Sequence, residues 1–172
     1  DSDWETKSVD LAMNADEVDP RNLVKPIDWS GFAKGVPKDE ASVRMEKILL
    51  NSVKYCLTTW YEGEFGHQTG EYLTLSSLNE AGIRPPASAA LAIATAVKFG
   101  IYDPLHVGIS QEEAIERAVK IVKSIAYTHK ANAFGGWGDL WQSAFWANLA
   151  GTAGWLLWDE LSETDQELVR KM

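Results

Sequence analysis

The spacing of apolar residues predicts two amphipathic helices. From Asp39 to about Trp60 apolar residues recur at steps of three and four, which places them on one helix face; they are Met45, Leu49, Val53, Cys56 and Trp60. A second helix is predicted to begin at Ser110, because Glu113 follows at the spacing of a capping box. It should run to about Lys130, with an apolar face of Ile115, Ala118, Val122, Ile125 and Ala126.

Two other stretches are apolar on every side and predict buried helices. Residues 87–99 follow Pro85 and Pro86, which fit the first turn of a helix, and carry no charge before Lys98. Residues 140–158 carry no charge at all, so the segment from about Asp139 to Glu160 is predicted to be the most buried helix. Its polar interruptions and acidic flanks argue against a membrane span. Ser162 with Asp165 predicts one more helix start.

Two regions lack helical spacing. Residues 1–38 contain three prolines and scattered aspartates, which predict an irregular lead-in that packs through Trp4, Trp29 and Phe32. Residues 61–84 contain four glycines and predict a long structured loop, a candidate wall of a binding site. The expected organisation is therefore an irregular lead-in, 1–38, and an all-α domain, 39–172.

Composition narrows the classes of partner. The chain has 172 residues, 45% of them hydrophobic, which fits one domain with a sizeable core. The net charge of -9 argues against nucleic acid and anionic membranes as partners. Cys56 is the only cysteine, so neither an internal disulfide nor a multi-cysteine metal site is expected. No metal or cofactor is predicted.

The start of the chain bears on its compartment. It begins at Asp1 without a methionine or an apolar leader, which predicts a processed or trimmed product. The compartment stays open, with secretion or attachment to the cell surface among the options.

The glycine-rich loop concentrates groups that could move protons. Tyr61 and His67 suit proton transfer beside a uronate carboxylate. A hydrolase could instead pair Glu62 or Glu64 with Asp139. A metal site at Glu64, His67 and Glu71 is a further alternative, although spacing within a loop does not fix ligand geometry. A solvated loop without chemistry explains the same composition.

A second candidate group surrounds the start of the charge-free helix. Trp137 and Trp141 follow Gly135 and Gly136, and their indoles could stack on sugar rings or pack in the core. His129 continues the apolar face of its helix, which is typical of a structural histidine. Alternatively, His129 and Asn132 point into one pocket with Trp141 and Gln142. An open cleft shared by Trp137 or Trp141 and the loop 61–72 is predicted.

The segment from Asn132 to Ala144, NAFGGWGDLWQSA, followed by GWLLWD at 154–159, resembles the helical toroid of (α/α) polysaccharide lyases. The likeness covers about residues 40–172. It implies a groove with aromatic platforms and a uronate-neutralising, proton-moving set, for which the matching residues are Asn132, His67 or His129, Tyr61 or Tyr72, and Arg84.

The resemblance implies β-elimination on a uronic-acid-containing polysaccharide or oligosaccharide. The alternative is a non-catalytic helical domain that binds glycans or packs against a partner. Five predicted helices are fewer than a full toroid needs, so the chain is expected to be part of a larger fold that binds further domains or self-associates.

Overall fold

A computed structural model describes residues 24–30 and 39–172, and every regular element in these residues is helical. Of the predicted lead-in contacts, Trp4 and Phe32 lie outside the described residues, whereas Trp29 packs edge-on against Phe99 at 5.9 Å between ring centroids. Within the described residues, no helix combines the length and hydropathy needed to cross a membrane. The predicted all-α class is therefore confirmed for this part of the chain.

The helices follow one another with two long connections, at residues 66–79 and 128–142, and shorter ones elsewhere. They are α1 (Glu40–Tyr55), α2 (Tyr61–Phe65), α3 (Glu80–Lys98), α4 (Pro104–Val107), α5 (Gln111–Tyr127), α6 (Ser143–Leu156) and α7 (Glu163–Lys171). A π-helical turn, Cys56–Trp60, joins α1 directly to α2, and a 3-10 turn, Trp158–Glu160, lies between α6 and α7.

Helix α3 lies at the centre and packs against α1, α5 and α6. It begins earlier than its prolines predict, because the Asn79 side chain accepts a hydrogen bond from the Ala81 N–H at 3.0 Å. Pro85 and Pro86 lie inside the helix, in its second turn, so each lacks the N–H that would bond four residues back. Gly82 is required there, since a Cβ would lie 1.9 Å from the Ser77 carbonyl oxygen.

The long loop predicted at 61–84 is wrong at both ends. The helix continues through the π-helical turn to Phe65, and α3 begins at Glu80, which leaves residues 66–79 as the connection. Burial explains the extension, because Tyr61 and Phe65 both enter the core in spite of the exposed Gly63 between them. The predicted apolar face of α1 is also wrong at Met45, which is largely exposed.

The all-round burial predicted for 139–160 is wrong. Helix α6 spans only Ser143–Leu156, and α3 is the more deeply buried helix. Trp146 is buried on α6, but Phe145 and Trp155 are each about half exposed. Trp158, which is buried, belongs to the 3-10 turn beyond the helix. Freedom from charge permitted burial, but the neighbouring helices cover only part of the surface of α6.

The two predicted helix starts are confirmed by their caps. Ser110 Oγ accepts from the Glu113 N–H, and Ser162 Oγ accepts from the Asp165 N–H, each at 3.1 Å. The predicted apolar face of α5 is confirmed too, with four of its residues fully buried, Ala118, Val122, Ile125 and Ala126. The helix ends at Tyr127, so His129 lies in the turn beyond it.

Candidate functional site

The turn between α5 and α6 is held by backbone pairing. The Lys130 N–H donates to the Trp137 carbonyl at 2.8 Å, and the Trp137 N–H donates to the Thr128 carbonyl at 3.2 Å. Gly136 is needed in this turn, because a Cβ would lie 2.4 Å from the Thr128 carbonyl oxygen, and Gly135 has a φ of 73°. The glycines therefore allow the close approach that fixes the turn.

Trp137 is the anchor of this turn. Its side chain is only 3% exposed, and its indole N–H donates to the Ile125 carbonyl at 3.0 Å. The ring also lies 6.1 Å from that of Trp146 between centroids. Burial leaves Trp137 no open indole face, so of the two predicted sugar platforms only Trp141 is exposed.

His129 and Asn132 make local structural contacts. His129 Nδ1 accepts from the Ala131 N–H at 3.2 Å, and its ring packs edge-on against Trp137 at 4.7 Å. Burial lowers the pKa of His129, with the charge of Lys130 acting in the same direction and that of Asp139 opposing both. The Asn132 amide donates to the carbonyls of Ala126 and Leu168, at 2.8 and 2.9 Å.

Several apolar side chains project from the same part of the chain. We name residues 134–145 the aromatic segment, after its exposed side chains Phe134, Leu140, Trp141 and Phe145. Phe134 is fully exposed and Trp141 is 89% exposed. The guanidinium of Arg84 lies 5.8 Å from the Phe145 ring and pairs with Glu80 at 2.6 Å. Arg84, nominated from outside this turn, therefore contacts the aromatic segment through Phe145.

The other nominated residues have different surroundings. Tyr61 is buried beneath the guanidinium of Arg117, 4.7 Å from its ring. Burial raises the pKa of Tyr61, and the charge of Arg117 partly offsets this effect. Tyr72 stacks on Tyr127 at 4.2 Å, and His67 is exposed. Tyr72 therefore lies beside the last residue before the turn that holds His129 and Asn132, whereas no hydrogen bond, ion pair or ring contact of the described residues joins Tyr61 or His67 to that turn.

Gln142 lies at the start of α6 with one unsatisfied atom. Its Oε1 is buried without a hydrogen-bond partner, and so is the Nε1 of Trp146 one helical turn later. Buried polar atoms are usually paired, so these two mark a place where a water or a ligand group would be stabilised.

Arg117 is an organising residue that the sequence did not indicate. Its i,i+4 spacing to Glu113 is typical of an exposed ion pair on a helix surface, but only 15% of the Arg117 side chain is exposed. It binds Glu62 at 2.5 Å and Glu113 at 2.6 Å and donates to the Leu57 carbonyl at 2.7 Å. Burial lowers the pKa of Arg117, but its two carboxylate partners outweigh burial and raise it. Glu62 is remote in sequence, so no local spacing signalled the contact.

Two further sources of functional information are metal-binding residues and similarity to known proteins. The described residues contain no group of three or more His, Cys, Asp or Glu that could hold a metal ion. The alternative metal site at Glu64, His67 and Glu71 is therefore not supported. Comparison of the chain with protein-family models, curated proteins and solved structures found no match.

Proposed function

We propose that this chain is a non-catalytic helical domain that packs against a protein partner through the aromatic segment. The observation that carries the proposal is the exposure of Phe134 and Trp141 on a turn fixed by backbone pairing and by the buried Trp137. Fully burying an apolar side chain of this size contributes about 1.5–3 kcal/mol. Aromatic residues are also enriched in the centres of protein interfaces.

The fixed turn matters because association is opposed by the ordering of side chains and loops. The pairing of Lys130 with Trp137 orders the turn before a partner arrives. We propose further that the partner supplies additional helices. These helices would extend the all-α fold toward an (α/α) toroid.

Site-specific cross-linking tests the proposal. The photoreactive residue p-benzoylphenylalanine would replace Phe134 or Trp141 in the cells that make the protein. A control would replace Leu105, which is 96% exposed on α4. A discrete product is expected from positions 134 and 141 and not from 105. Its mass shows whether the partner is another protein or a second copy. Absence of a product, or equal products at all three positions, would contradict the proposal.

A polysaccharide lyase is a second candidate, favoured by the exposed indole of Trp141, which could stack on a sugar ring. β-Elimination needs a base, an acid and a carboxylate-neutralising group together. Since the nominated residues lie in different surroundings, we expect weak or no turnover of uronate polymers by the isolated chain. The unsaturated product is followed by absorbance. Robust turnover by a stable monomer would favour the lyase over the packing domain.

A further inference from the structure

A groove runs along the contact between α3 and the continuous helix formed by α1, the π-helical turn and α2. It consists of two cavities that share Trp60 and Pro85 in their walls. The apolar cavity has a volume of about 300 Å³ and is lined by Tyr55, Cys56 and Ala89, among others. The polar cavity has a volume of about 250 Å³ and is lined by Glu64 and Ser76. Each cavity is near the lower limit of the usual size range of small-molecule sites.

The π-helical turn gives this groove its shape. The Tyr61 N–H donates to the carbonyl of Cys56, five residues back, where a regular α-helix would use Leu57. Trp60 therefore stays half-buried between the two cavities, and its ring packs edge-on against Phe65 at 5.3 Å. Single π-helical turns inside α-helices are frequent at functional sites.

Charge distinguishes the two ends of the groove. Among the described residues that line the two cavities, Glu64 is the only charged one. Nearby carboxylates have cationic partners, Glu62 with Arg117 and Glu71 with Lys123. Within the described part of the chain, the Glu64 carboxylate has no ion pair. The polar cavity thus combines an uncompensated negative charge with an aromatic ring.

We propose that this groove binds an organic cation with an apolar body, such as an arylalkylamine. The ammonium group lies in the polar cavity, attracted by Glu64 and by the face of Trp60. The apolar body fills the cavity beside Cys56 and Ala89. Charge complementarity selects this ligand over a neutral or acidic one of the same shape, because none of the described lining residues is a cation that could bind a carboxylate. This site is separate from the aromatic segment and does not rest on its proposed function.

Nuclear magnetic resonance titration with three probes tests the proposal. The probes are 2-phenylethylammonium, the neutral 2-phenylethanol and the anionic 3-phenylpropanoate. The indole N–H signal of Trp60 is assigned by its loss in Trp60→Phe. Saturable shifts of this signal are expected with the ammonium probe, at about millimolar affinity for so small a ligand. The alcohol should bind more weakly and the anion not at all.

Variants separate charge from shape. Glu64→Gln should weaken the ammonium probe about fivefold and leave the alcohol unchanged. Glu116→Gln, an equal change of charge at an exposed site on α5, should change neither. Ser88→Leu, at an exposed position that lines the apolar cavity, should weaken both probes, and an unchanged melting temperature shows that the variant is folded.

Three outcomes would overturn the proposal. These are no saturable shift of the Trp60 signal, equal affinity for the ammonium and the alcohol, and equal effects of Glu64→Gln and Glu116→Gln.

Discussion

Helices α3 and α6 both have a charge-free middle, yet they are buried to different degrees. Three helices, α1, α5 and α6, pack around α3 and bury ten of its nineteen residues, which leaves one exposed stripe through Arg84 and Ser88. Helix α6 also has three helical neighbours, α3, α5 and α7, but they leave Phe145 and Trp155 about half exposed. The difference shows that absence of charge allows burial, whereas the arrangement of neighbours decides how much of a helix is buried.

The largest expected effect lies on the inner side of α6. Trp146→Ala should lower the free energy of unfolding by about 3–5 kcal/mol, because the substitution leaves a large cavity beside Trp137. Urea denaturation measures the change. Trp146→Phe is the control and should cost much less, since it keeps most of the ring volume and removes a buried N–H that has no partner. A loss below about 1 kcal/mol for Trp146→Ala would show that the inner side of α6 is not well packed.

Substitutions that add volume compare the burial of α3 and α6 directly. Ala90→Leu on α3 should lower the free energy of unfolding by about 1–3 kcal/mol, because Ala90 is fully buried among packed helices. Ala144→Leu on the exposed side of α6 is the matched control, and it should change stability by less than about 0.5 kcal/mol. Thermal melting of both variants gives the answer. Equal losses would mean that the two helices do not differ in enclosure.

A smaller, pH-dependent effect is expected at the turn before α6. Because the pKa of His129 is lowered from its ordinary value of 6.5, the unfolded chain binds a proton at higher pH than the folded one. The contribution of neutral His129 is therefore complete above pH 6.5 and is lost as the pH falls through 6.5 toward the lowered value. Urea midpoints measured across this window should fall more for the wild type than for His129→Gln.

The matched control for this pH effect is His67→Gln, because His67 is exposed. It should follow the wild type at every pH. If His129→Gln also followed the wild type, the packing of His129 on Trp137 would not stabilise the neutral imidazole.

The smallest effect on stability is expected at the exposed side of α6. Phe145→Ser should lower the free energy of unfolding by about 1 kcal/mol, because only about half of the ring is buried. The same substitution should reduce cross-linking from position 141 if the aromatic segment binds a partner. Leu105→Ser is the control and should leave both measurements unchanged. A large loss of stability would place Phe145 in the core of the domain.

Local signals in the sequence predicted the helices well. Ser110 and Ser162 cap the helices that their spacing indicated, and the apolar face of α5 enters the core. These features depend on residues within one or two helical turns of each other. The packing of neighbouring helices depends on residues that are distant in the sequence. The burial of α3 and the exposed side of α6 could therefore not be predicted from local spacing.

The extension of the first helix to Phe65 was missed because the glycines after Tyr61 indicated a loop, and the spacing of its buried residues did not reveal a helix. Its buried residues are spaced four apart throughout, at Val53, Leu57, Tyr61 and Phe65. In an uninterrupted α-helix each step of four advances about 40° around the axis, so such a series leaves one face. The wider π-helical turn corrects this drift.

The candidate site was predicted only in part. Sequence reasoning located the turn with His129, Asn132 and Trp137 and the exposed Trp141, but it did not pair Arg117 with Glu62 or find the groove at Trp60. Contacts between residues remote in sequence leave no spacing to detect.

The π-helical turn also sets the rotational phase of the helix before it. One residue corresponds to about 100° of rotation around a helix axis. If Cys56–Trp60 instead formed a regular α-helix with the same number of residues, α1 would turn by about that angle relative to α2. Val53 would leave the direction it now shares with Tyr61, and a different side of α1 would face α3. Deletion of one residue within the turn would restore α-helical geometry, so all sixteen residues of α1 would keep their orientation.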